Sequence, residues 1–193
     1  MFNKKVIKII FILVSLSSVA FIVFMIYSAQ KSKEVVPVDQ NTQTARIPAD
    51  LSQITPGKST RSDVISKLGQ PNKESGGANG EVLFYNSTSN TRDSQITISK
   101  DIVVLIKEMH TYSDPKKVSD IEKAYGLSNY SLFGPDYAGG NKLYIYPAKG
   151  LAYLGDPKFD TIDEIWYFEP TTIEIFKQKF ASNYTKEKVL NLY

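Results

Sequence analysis

The chain has no cysteine among its 193 residues, a single histidine and a single tryptophan. Without cysteine there is no disulfide framework, no thiolate metal site and no thiol nucleophile. A cysteine-linked lipid anchor at the N-terminus is excluded on the same ground. Charge of one sign is also lacking. The net charge is +3, and the lysines are scattered rather than gathered into the basic stripe that phosphate backbones require, so no nucleic-acid partner is expected. The lone His110 has neither a recognisable nucleophile nor a ligand set beside it, and it reads as a structural residue near the end of a strand. No Gly-x-Ser-x-Gly elbow occurs, and Ser62 with Lys67 forms only a helix surface. No catalytic, metal or cofactor residue emerges, and a non-enzyme is expected.

Apolar and aromatic residues are plentiful. Hydrophobic residues make up 42% of the chain, with twelve tyrosines and ten phenylalanines, enough to fill a core. Residues 9–27 carry no charge and follow Lys4, Lys5 and Lys8. At about 1.5 Å per residue, a helix of this length spans the roughly 30 Å hydrocarbon layer. The alternative is a signal peptide cleaved after Ala20 or Ala29. The first cut leaves an apolar stub at 21–27, and the second makes the apolar region longer than signal peptides use. The expectation is therefore an uncleaved signal anchor, residues 1–28, with the N-terminus cytoplasmic by its lysine balance and the remainder extracytoplasmic. Residues 29–50 are polar, with Pro37 and Pro48, and read as a flexible spacer.

Beyond the spacer the sequence repeats itself. Ser62-Asp63-Val64, Leu68-Gly69 and Asn72 return 57 residues later as Ser119-Asp120-Ile121, Tyr125-Gly126 and Asn129. Each copy predicts a short amphipathic helix closed by glycine and followed by alternating strands. Ser59 is the expected cap of the first helix and Asp114-Pro115 the start of the second. Predicted strands lie at 81–87, 94–99, 101–110, 142–146, 150–154 and 161–168, and 74–80 and 130–140 read as loops. A closing helix begins at 170–174, where Thr171 and Glu174 have capping-box spacing. The fold class expected is α+β, an N-terminal transmembrane helix followed by two tandem helix-plus-antiparallel-sheet modules at 51–113 and 114–193.

At Pro56-Gly57-Lys58-Ser59-Thr60 and Leu68-Gly69-Gln70-Pro71 the chain resembles the SmpA/OmlA outer-membrane assembly lipoproteins, whose signature ends in Leu-Gly-x-Pro. Two such units in tandem are similar to the β-lactamase inhibitory protein fold. The second copy, Gly126-Leu127-Ser128, lacks the proline. The resemblance covers 51–168 and implies a non-catalytic extracytoplasmic module that works by contacting another macromolecule.

The acidic residues Asp156, Asp160, Asp163, Glu164 and Glu169 lack the order of a calcium loop and read as a solvated hairpin. Aromatic residues on alternating strands supply the candidate contact surface: Tyr85, Tyr144, Tyr146, Trp166 and Phe168, with Phe133 and Tyr137 on the glycine-rich loop. The sequence therefore points to a membrane-anchored scaffold of the cell envelope with a protein partner. Its rivals are a module for cell-wall glycan or a small ligand, and a secreted enzyme inhibitor.

Overall fold

A computed structural model describes residues 47–77, 80–89, 91–111, 113–134 and 142–186. The candidate anchor at 9–27, most of the spacer, and Tyr137 lie outside the described residues.

The described chain is organised by one antiparallel sheet. Its eight strands are β1 (Lys73–Gly77), β2 (Gly80–Tyr85), β3 (Ser94–Ser99), β4 (Ile102–Met109), β5 (Tyr130–Leu132), β6 (Lys142–Tyr146), β7 (Leu151–Asp156) and β8 (Thr161–Phe168). They lie in the order β1-β2-β3-β4-β8-β7-β6-β5. Three helices pack on it: α1 (Arg61–Leu68), α2 (Val118–Tyr125) and α3 (Ile173–Phe180). The single sheet corrects the expected fold class of a transmembrane helix followed by two tandem helix-plus-antiparallel-sheet modules. Residues 45–193 form one compact unit, and the sheet runs through the expected boundary because β4 pairs with β8 from Leu105↔Phe168 to Met109↔Glu164. Among the described residues no helix is long and apolar enough to cross a membrane.

The physical reason for the join is in the two strands themselves. Leu105 and Ile106 are both buried, as are Ile165 and Trp166, so consecutive side chains on each strand are buried on opposite faces. A strand apolar on both faces belongs in the middle of a sheet rather than at its edge.

One face is covered by α1 over the first half and α2 over the second. Val64 of α1 packs with Leu83, Ile96, Ile98, Val103 and Ile106, and Val118 of α2 with Tyr153, Ile162 and Ile165. The opposite face is covered over the second half by α3, whose Phe176 lies against Trp166 and Phe168 at centroid distances of 6.2 and 4.7 Å.

The repeat persists as local chemistry. Asp63 accepts from the Thr60 backbone N–H at 2.8 Å and Asp120 from that of Lys117 at 3.2 Å, capping α1 and α2. Each helix closes on a glycine of positive φ, Gly69 at 80° and Gly126 at 78°, with ψ near 180°, a region open essentially to glycine. A strand tyrosine then donates to that glycine's carbonyl, Tyr85 to Gly69 at 3.0 Å and Tyr146 to Gly126 at 2.8 Å.

Several boundaries shift from expectation. Thr60, not Ser59, caps α1, because the Ser59 hydroxyl turns back to accept from the Thr55 N–H at 2.9 Å. Helix α2 begins at Val118 because Asp114 is drawn into a polar cluster. Thr172 caps α3. Strands β1 and β5 occupy segments read as loops. The spacer ends inside the fold: the Ala49 N–H donates to the Asn86 carbonyl at 3.0 Å, and Asp50 caps a 3-10 turn at Leu51–Gln53.

Candidate functional site

At the seam of the two halves, on the face shared by α1 and α2, lies a cleft of about 420 Å³. Its floor is Ile106 and Glu108 of β4 and Tyr167 of β8. Leu51, Ile54 and Pro56 form one wall, and Asp50 and Lys116 stand at the rim. The register places Ile106 opposite Tyr167, so both side chains rise on the same face.

Glu108 is the polar centre of this cleft. One carboxylate oxygen, Oε2, accepts from Lys116 Nζ at 2.8 Å and from the Tyr167 hydroxyl at 3.0 Å. Beside it stands His110 Nε2 at 3.4 Å, too far for a good hydrogen bond. Burial alone would raise the Glu108 carboxyl, but His110 and Lys116 outweigh it and hold the group at about 2. Burial and the adjacent carboxylate push the Tyr167 hydroxyl upward, so it stays a donor.

His110 is anchored on its other side. Asp114 faces Nδ1 at 2.8 Å and also accepts from the Thr88 hydroxyl and the Thr111 N–H. Burial opposes ionisation of Asp114, and these hydrogen bonds win, keeping it below the usual carboxylate range. An ionised carboxylate accepts, so Nδ1 carries the proton in this pair. The cluster ties the loop after β2 to the loop after β4, which is a structural role for the histidine.

A second groove, about 410 Å³, opens on the second half between the end of α2, β6 and the start of α3. Tyr125, Leu127 and Tyr130 line it and are 48%, 76% and 43% exposed. They are large apolar side chains that the fold leaves in solvent together. Tyr125 leans on the buried Tyr146 at 5.9 Å between ring centroids, so the exposed ring rests on a fixed one.

Over the first half the sheet face opposite α1 has no covering helix among the described residues. Val82, Phe84, Gln95 and Thr97 alternate with the buried Leu83, Tyr85, Ile96 and Ile98 and are half-buried there. Lys73 Nζ lies 5.4 Å from the Phe84 ring centroid.

No protein-family model matches the chain, and no curated protein matches it. Two solved structures are similar. One is a DUF4309 family protein (YjgB) from Bacillus subtilis, 20% identical, covering 64% of this chain and 88% of that one, with a TM-score of 0.47. The other is an extracellular protein containing a SCP domain from Bacillus anthracis, 19% identical, covering 74% of this chain and 58% of that one, with a TM-score of 0.42. Both likenesses are remote. Neither is to an SmpA/OmlA or β-lactamase inhibitory protein, so that resemblance stands on its motif residues alone.

The aromatic residues singled out from the sequence fall into three places. Tyr85, Tyr146, Trp166 and Phe168 are buried and present no surface to a partner, which corrects their reading as contacts. The first two are the tyrosines that hold the helix-closing glycines, and the last two lie under α3, whose Phe176 covers that face of the sheet. The Trp166 indole N–H donates to Glu164 at 2.8 Å, and Lys107 Nζ sits 3.8 Å from its ring centroid. Tyr144 and Phe133 are half-buried, Tyr144 stacked on Tyr153 at 4.9 Å and Phe133 beneath Lys142 Nζ at 4.9 Å. Tyr137 lies outside the described residues.

The acidic hairpin is put to structural use. Asp160 accepts from both the N–H and the hydroxyl of Ser119, at 2.8 and 2.9 Å, and so caps α2 from outside the helix. Glu164 pairs with Arg92 at 2.8 Å. Sequence reasoning missed Glu108 and Lys116: the β4–β8 pairing sets Glu108 beside Tyr167, and the loop after β4 returns Lys116 to it. Tyr125 is the last residue of α2 and Leu127 follows the glycine that closes it, and both side chains are left in solvent.

Proposed function

We propose that this chain is a non-catalytic interaction protein of the cell envelope, anchored by residues 9–27 with its folded part extracytoplasmic, and that it contacts a protein partner through the groove lined by Tyr125, Leu127 and Tyr130. The observation that carries the reading is the exposure of these three side chains around one groove. Exposed apolar residues gathered in one place are characteristic of contact surfaces, and tyrosine contributes large contact area at small entropic cost. The uncharged segment at 9–27 supports the anchor, and the polar stretch after it supports a tether.

This reading keeps the partner surface in the neighbourhood of Tyr130 and moves it away from the buried aromatic strands. The test is chemical crosslinking in native membranes followed by isolation of the full chain, wild type against Leu127→Asp. Leu127 is largely exposed, so the variant keeps its fold by circular dichroism. Loss of a defined protein adduct in the variant supports the reading. An identical adduct pattern in both overturns it, and a glycan adduct in place of a protein moves the function to a wall-binding module.

A further inference from the structure

A site of different chemistry lies at the seam, independent of the proposed protein contact. We propose that the cleft floored by Glu108 binds a primary alkylammonium compound, and that Lys116 occupies the ammonium position when the ligand is absent.

The cleft combines a long apolar wall, Leu51, Ile54 and Pro56, with an ionised carboxylate at its floor. Glu108 Oε2 has a fixed acceptor geometry because Tyr167 donates to it at 3.0 Å from the neighbouring strand. The second partner, Lys116 Nζ at 2.8 Å, arrives from the loop after β4 on a side chain that is 47% exposed. A flexible stem in solvent gives up such a pair at little cost, since the ammonium passes directly into water. A ligand ammonium in that position regains the same charge-assisted hydrogen bond and lays its alkyl chain along the apolar wall.

Charge favours this class over an anion. Asp50 lies at the rim, its carboxyl lowered by hydrogen bonds from Ser52 and Gln53, and Glu108 lies on the floor, against the single cation Lys116. With Lys116 swung out, the cleft presents two carboxylates and an apolar wall.

The probe is pentane-1,5-diamine, titrated calorimetrically into the full chain in nanodiscs, with pentane-1,5-diol as the uncharged control. Saturable binding of the diamine without the diol is expected. Lys116→Met, which removes the competing ammonium, is expected to tighten the diamine about three- to fivefold, and Glu108→Gln to weaken it by more than about tenfold. Equal binding of diamine and diol, no binding to either protein, or unchanged affinity in Lys116→Met each overturns the proposal. If Glu108→Gln fails to fold by circular dichroism, Lys116→Met together with Asp50→Asn, a rim change expected to weaken binding, decides the matter.

Discussion

The two halves of the sheet share a local design and differ in what covers them. Each has a helix capped by an aspartate, closed by a glycine and tied by a tyrosine hydroxyl to that glycine's carbonyl. Under α1 the core is largely aliphatic, with Leu83, Ile96, Ile98 and Val103. The second half adds α3 on the other face, and with it an aromatic core of Trp166, Phe168 and Phe176. The repeated part thus holds a helix on a sheet, and the unrepeated helix decides which face remains open. With the aromatic set buried under α3, Tyr125, Leu127 and Tyr130 are the exposed apolar side chains of the second half that gather around one groove.

The largest effect that sharpens this contrast is expected from the two cores. Phe176→Ala removes a fully buried ring and is expected to cost about 3–5 kcal/mol by denaturant titration. It should also shift the emission of the single tryptophan to the red, because Phe176 lies on Trp166. Leu83→Ala, buried on the opposite face of the first half, is expected to cost about 2–4 kcal/mol with no change in emission before unfolding. A red shift from Leu83→Ala would mean that the two faces are not independent.

Next come the paired closures. Gly69→Ala and Gly126→Ala place a side chain where open space is available but the backbone angle is not, and about 1–3 kcal/mol is expected from each. Tyr85→Phe and Tyr146→Phe each remove one hydrogen bond, for about 1 kcal/mol. Similar losses within each pair would mean the repeat is energetic as well as geometric; a large disparity would break it.

The seam gives a pH effect of comparable size. The Glu108 carboxyl sits near 2 in the fold against an ordinary value near 4.5. Its contribution is therefore whole above about pH 4.5 and fades as the pH falls toward 2. Roughly 2 kcal/mol of wild-type stability is expected to disappear across that window, and a folded Glu108→Gln variant should lack that portion of the slope. The smallest effect belongs to the surface: Arg61 pairs with Glu81 and Glu74 at 3.0 and 2.9 Å, and Arg61→Ala is expected to cost no more than about 1 kcal/mol, less in high salt.

Much of this fold was legible along the chain. Six of the eight strands fall on alternating or apolar runs, and the glycines that close α1 and α2 mark their ends. Strands β1 and β5 were not legible, because Lys73-Glu74-Ser75-Gly76-Gly77 has no apolar pattern and Tyr130–Leu132 is only three residues long. Both are edge strands, held by backbone pairing to one neighbour rather than by side-chain burial on two faces. The single sheet was recoverable in principle from the consecutive apolar residues of β4 and β8, a pattern that marks central strands. The seam cleft was not, since Glu108 and Tyr167 are 59 residues apart and meet only through strand register.

The most direct test places a photoreactive residue at Leu127 and, in a separate variant, at Phe84, on the face of the first half that no described helix covers, in full chains in native membranes. A discrete protein adduct at Leu127 that is absent from Phe84 is expected. An adduct at Phe84 with none at Leu127 would contradict that and put the contact on the open sheet face.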